Sequence, residues 1–125
     1  MKRKKKKKEI VVEDHSKRFE ERLKATVIDG VYIPATIEEC FTELNKMLTP
    51  EQIDSLRNNE DTMLIRMVGM TIRNNWGLWE GSRLQEYMKM RGETWPDDMT
   101  AIILNYYVQW LDGNHEEWQV FDEIY

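Results

Sequence analysis

Helix-start signals punctuate the chain after Pro34, and they constrain the fold more than any other feature. Thr36-Ile37-Glu38-Glu39 has the form of a capping box. The Thr36 hydroxyl can accept from a free N–H, and the Glu stands at the third helical position. Thr49-Pro50-Glu51-Gln52 starts again, with Pro at the first helical position. Ser82 with Gln85 three residues on, Trp95-Pro96-Asp97-Asp98, and Asn114-His115-Glu116-Glu117 read as further starts. Starts this close together allow only short helices joined by short loops.

The apolar residues agree with that division. Ile37, Cys40, Phe41, Leu44, Met47 and Leu48 recur at three-four spacing, one face of an amphipathic helix. Ile53 and Leu56 line the next helix, which Asn58-Asn59 ends. From Glu60 to Asn75 runs the strongest apolar pattern. Leu64, Met67, Val68, Thr71 and Ile72 point to the core, with Met63 and Met70 beside them. Leu84, Tyr87 and Met88 are inward on a helix that Gly92 stops. Met99, Ile102, Ile103, Tyr106, Trp110 and Leu111 carry the next helix to Gly113, and Trp118, Phe121 and Tyr125 dock the last. Earlier in the chain, Phe19 and Leu23 support a helix over 16–25. Thr26-Val27-Ile28 and Val31-Tyr32-Ile33 flank Asp29-Gly30, the favoured two-residue hairpin turn.

The expected fold is therefore mainly α, a compact bundle of about six short helices with a short N-terminal β-hairpin or extended arm. With 125 residues the chain suffices for one domain and one core. No apolar run approaches the ~20 residues that span a bilayer. Residues 1–12 read as a disordered basic tail, 13–30 as an N-terminal helix and arm, and 31–125 as a single helical domain. A secretory signal is excluded, because the acidic Glu9-Ile10-Val11-Val12-Glu13-Asp14 follows the basic run where an apolar stretch is required.

Charge divides the chain unevenly. The formal net charge is −5, yet residues 1–8 hold seven of the 18 basic residues and no acid, leaving 11 against 23, or −12, for the rest. An acidic body repels nucleic acid, whose binding rests on neutralising phosphates, and favours a basic protein partner. The tail, through Lys4, Lys5, Lys6, Lys7 and Lys8, suits weak, nonspecific, salt-sensitive contact with polyanions or anionic lipid, or contact with the acidic body itself.

Candidate site residues concentrate between the Glu60–Asn75 helix and the helix after Ser82. Arg73, Asn74, Asn75, Trp76, Trp79, Ser82 and Arg83 fall within eleven residues, with two glycines among them. One reading is structural: Gly77 ends a helix, Ser82 caps the next, and Trp76, Leu78 and Trp79 fill the corner. The other makes these residues, with Asp97 and Asp98, a polar and aromatic binding surface or an enzyme cleft. The Asp pair reads first as helix capping, since adjacent helical residues do not face one another. Cys40 lies on an apolar face and reads as a buried thiol. As the only cysteine it excludes an internal disulfide and fits a cytoplasmic location. His115-Glu116-Glu117 lacks the second His of a zinc-protease motif, and no nucleotide, nucleophile-elbow or zinc spacing is present. No cofactor or metal is expected. The leading expectation is a non-enzymatic interaction protein, inhibitor- or immunity-like. A small enzyme at the corner and attachment through the Lys tail are the alternatives.

The run IRNNWGLWEGSRL at Ile72–Leu84, followed by WPDDMTAIIL and preceded by YIPATIEECFTEL, resembles a small bacterial domain family of unknown function. The resemblance spans Val31 to Tyr125. It implies a common fold and supplies no catalytic residue.

Overall fold

In the computed structural model, residues 18–124 are described. The basic tail expected over 1–12, the start of the first helix and Tyr125 lie outside them. Seven helices and one hairpin are present among the described residues, one helix more than the sequence pattern suggested. They are α1 (18–24), β1 (Val27–Ile28), β2 (Val31–Tyr32), α2 (Ile37–Met47), α3 (Pro50–Asn58), α4 (Thr62–Asn75), α5 (Arg83–Met90), α6 (Pro96–Leu111) and α7 (Glu116–Glu123).

Thr36, Thr49 and Ser82 cap the helices that the sequence places after them, and the other expected starts depart from the pattern. Thr49 and Gln52 form a complete, reciprocal capping box. Thr36 accepts from the Glu39 N–H, but the Glu39 carboxylate accepts from Ala35 N–H, one residue earlier than a box requires. Asp61 caps α4 by accepting from Leu64 N–H, so this helix begins after the Glu60-Asp61 pair rather than at it. Asp97 and Asp98 lie in the first turn of α6 but make no cap hydrogen bond there. The expected cap at Asn114-His115 is also absent: His115 Nδ1 instead accepts from Trp118 Nε1 at 3.0 Å.

The hairpin pairs Val27 with Tyr32 and Ile28 with Val31, antiparallel. Asp29 and Gly30 have φ of 51° and 79°, the turn whose twist matches that of the strands. A two-stranded ribbon is marginal alone, and it continues into Ile33, fully buried against the helices.

α6 is the central element, packed on α2 and α4 and also touching α3 and α7. Its Met99, Ile103 and Tyr107 are fully buried, while Tyr106 and Trp110 are only half-buried. Around Phe41 of α2 gather Tyr107, Trp110 and Trp118 at centroid distances of 6.1, 5.4 and 5.6 Å. The fully buried Phe41 contributes about 1.5–3 kcal/mol, and tilted and edge-on rings suit the aromatic quadrupole. Cys40 is buried beside Phe41, and burial pushes its thiol well above the ordinary range.

α4 departs most from expectation. Val68, Gly69 and Ile72 face the core, whereas Met67, expected inward, is 58% exposed. Met63 and Met70 are exposed with it, at 64% and 49%. The reason lies at Gly69. A Cβ there would sit 3.2 Å from the Thr100 methyl and 3.3 Å from the Arg73 guanidinium. The helix presents its smallest residue to α6, and that rotation turns the methionines to solvent.

Candidate functional site

The corner between α4 and α5 is built from backbone first. Trp76 closes α4, Gly77 follows at φ +67°, and Leu78 N–H returns to the Arg73 carbonyl at 3.1 Å, a left-handed helix stop. The Gly77 carbonyl accepts from the Gly81 N–H at 3.0 Å, which closes the next turn. A Cβ on Gly77 would come within 2.8 Å of Ser82 Cβ and 2.9 Å of the Gly81 oxygen; one on Gly81, at φ +107°, would come within 2.8 Å of the Phe19 ring. Gly77 needs a glycine for space as well as for conformation, whereas at Gly81 the φ makes the demand and the exposed Phe19 ring can move.

Trp76 and Leu78 are buried in this corner, and Trp79, expected to fill it with them, is 52% exposed. Ser82 is fully buried and accepts from Gln85 N–H. The Gln85 side chain donates to the Leu78 carbonyl at 2.7 Å instead of closing a box, which leaves its Oε1 without a partner among the described residues.

Arg83 reaches across to the hairpin. Its guanidinium donates twice to the Ile33 carbonyl, at 2.8 and 2.6 Å, and lies 5.2 Å from the centroid of the Tyr32 ring. Glu39 completes this cluster, accepting from the Tyr32 hydroxyl at 2.7 Å, with Arg83 at 3.9 Å. The Tyr32 hydrogen bond holds the Glu39 carboxyl below its ordinary value, and the same bond pushes Tyr32 up. An open hollow of about 480 Å³ lies over Tyr32, Glu39 and Lys46. From the other side Arg22 of α1 donates to the Gly81 carbonyl at 3.0 Å. The corner is therefore held by two arginines that donate to backbone carbonyls.

Arg73 points elsewhere. It pairs with Asp97 at 3.4 Å across an open groove of about 310 Å³ between α4 and α6, lined also by Arg66, Gly69 and Thr100. A second hollow of about 250 Å³ adjoins it, sharing Ile65 and Leu104 and continuing over Leu56 and Val108. Asn74, Asn75 and Asp98 are exposed. The nine residues singled out by sequence thus separate. Arg73 and Asp97 share the groove, Trp76, Ser82 and Arg83 build the corner, and Asn74, Asn75, Trp79 and Asp98 stand at the surface. Arg66 and the three exposed methionines of α4 were not among them. The available signal was the absence of any acidic residue between Asp61 and Glu80 in a chain rich in acids.

Among the described residues no group of three or more His, Cys, Asp or Glu side chains is placed to hold a metal ion, and no helix is long and apolar enough to cross a membrane. Fold and site define a small, mainly helical domain with an N-terminal hairpin and an arginine-tethered corner. Residues 33–111 match the family described as Domain of unknown function (DUF6794), more than half of the chain, and the protein belongs to that family. The match is narrower than Val31 to Tyr125, since it ends with α6 and leaves out α1, the hairpin and α7. No curated protein and no solved structure matches the chain.

Proposed function

We propose that this protein is a non-enzymatic, cytoplasmic protein-interaction domain whose acidic surface takes a basic protein partner, as an inhibitor or immunity-type protein does. The observation that carries the reading is where the cations go. Arg22, Arg83 and Arg91 donate to backbone carbonyls, Arg91 to those of Tyr87, Phe121 and Asp122. Only Glu39, Glu43, Glu80, Asp97 and Asp112 lie within ion-pair distance of a cation among the described residues. The other carboxylates define an acidic outer field, which speeds encounter with a basic protein and excludes acidic competitors. On α7, exposed Val120 and Ile124 lie one turn apart with exposed Glu116, Glu117 and Glu123 around them, an apolar centre with an acidic rim.

The test is capture of partners by the full chain at low and at moderate salt, beside the variant Glu116→Gln/Glu123→Gln. The reading expects a basic protein held stoichiometrically by the wild type, with capture falling with salt and weakened in the variant. Capture of no protein, or equal capture by the variant and at both salts, contradicts it.

The alternative is a small enzyme with a polar cleft, and the Arg73–Asp97 pair facing the groove is the observation in its favour. Its catalytic set is thin, because Ser82 and Arg83 are engaged in capping and tethering. A turnover that Asp97→Asn abolishes without loss of fold would establish it. Attachment through the Lys tail predicts that deleting residues 1–8 removes binding to anionic vesicles or nucleic acid.

A further inference from the structure

The exposed face of α4 carries an apolar row at regular spacing. Met63, Met67, Met70 and Asn74 follow one another by four, three and four residues, the a/d spacing of a coiled coil. With Met67 at a, Met63 and Met70 are d positions and Asn74 is the next a. All four are exposed, and they run opposite the buried Val68, Gly69 and Ile72. The seam is about 16 Å long at the helical rise per residue. A solvent-facing helix row is ordinarily polar. Methionine, unbranched and polarizable, is the residue that lines adaptable helix-binding surfaces.

Charge selects the occupant. The g positions flanking the seam are Arg66 and Arg73, and the e positions are Leu64 and Thr71. No acidic residue stands between Asp61 and Glu80. Arg66 is exposed and has no ion-pair partner among the described residues, while Arg73 is shared with Asp97. A second copy of this chain is a poor match. Antiparallel seams set g against g, placing Arg66 opposite Arg73, and parallel seams set g against e, placing Arg66 opposite Thr71. Neither brings a carboxylate to the arginines.

We propose that α4 is a docking surface for an amphipathic helix of a partner protein. That helix carries apolar residues at its own a and d positions, a carboxylate facing the exposed Arg66, and a polar residue opposite Asn74. The interaction is of the helix-on-helix kind, read by anchors at three-four spacing. This seam has the opposite charge preference to the acidic surface, and its existence does not depend on that surface having a partner.

The probe is a labelled synthetic helix of about three heptads, with Leu at a and d, one Asn at an a position, and Glu at e and g. The control carries Lys at e and g. Fluorescence anisotropy with the full chain gives affinities for wild type, Met67→Ser and Arg66→Glu. The acidic body also attracts the Lys peptide, so the readout is the binding that Met67→Ser removes. The expected result is saturable binding of the Glu peptide, weakened about tenfold or more by Met67→Ser with unchanged thermal stability. Arg66→Glu shifts the Met67-dependent binding toward the Lys peptide. Three outcomes overturn the proposal. They are no Met67-dependent binding of the Glu peptide, equal Met67-dependent binding of both peptides, and a wild-type dimer in sedimentation that Met67→Ser dissociates. The last would assign the seam to a second copy. Loss of the basic partner from the acidic surface would leave this result unchanged, so the two readings fail separately.

Discussion

The corner at Trp76–Arg83 and the outer row of α4 adjoin in sequence, and they treat their side chains in opposite ways. The corner holds the unusual residues, two Trp, two Gly, a Ser and an Arg, and turns most of them inward to fix the path of the chain. The α4 row holds three plain methionines and leaves them exposed. The difference teaches where to look for function in a small helical domain. A concentration of special residues marks geometry that the backbone requires. Apolar residues that stay exposed together in a row are the kind of patch that marks an interaction surface.

The comparison is sharpened most by substitutions that separate fold from surface. Gly77→Ala should destabilise by about 3 kcal/mol, because the new methyl meets Ser82 Cβ and the Gly81 carbonyl at a backbone angle that L-residues resist. Gly81→Ala should cost less, about 2 kcal/mol, mainly through its φ of +107°, because the exposed Phe19 ring can move aside. Met63→Ser, Met67→Ser and Met70→Ser should each stay within about 0.5 kcal/mol of wild type. Urea unfolding midpoints measure all five, and a large loss at Met67 would erase the contrast.

Arg83→Ala comes next, at about 2 kcal/mol, since it removes both donors from the Ile33 carbonyl. Arg83→Lys should recover only part of the loss, a single ammonium lacking the fork that makes both bonds. Thermal denaturation of the pair distinguishes a tether from a surface charge, which would lose almost nothing. Ser82→Ala should cost about 1 kcal/mol as the loss of one helix cap.

The smallest effects are those of pH. Tyr107 is pushed up to about 12 by burial, so the unfolded chain ionises first, near 10. Its contribution is intact below pH 10 and is lost as pH rises toward 12, which a spectroscopic tyrosine titration with parallel stability measurements will show. Glu39 has the opposite sign. Its carboxyl is held below the ordinary 4.5, so its contribution is present above that value and is lost as pH falls through the lower folded value. Tyr32→Phe should flatten this acid dependence. An unchanged profile would show that the hydroxyl does not set the Glu39 charge.

The helix starts at Thr36, Thr49 and Ser82 were legible because a cap side chain and the N–H that donates to it lie three residues apart, within reach of local reading. The face of α2 was legible too, since Ile37, Cys40, Phe41 and Leu44 alternate with charges. α4 was not. Apolar residues occur all around it, so periodicity does not choose a face. The choice is made by the contact of Gly69 with Thr100, thirty-one residues away. The tethers from Arg22, Arg83 and Arg91 end on backbone carbonyls, which carry no sequence signature. The meeting of Arg73 with Asp97 was legible as residue types and not as a pair, because it depends on how α4 and α6 cross.

The most direct test of the central claim follows the methionine methyl groups by NMR while the Glu-flanked helical peptide is added. The account predicts that the Met63, Met67 and Met70 methyl signals shift together and saturate, while those of buried Met88 and Met99 and the indole signal of Trp76 stay in place. Shifts centred on Trp79 and the corner, with the α4 methyls unmoved, would contradict it.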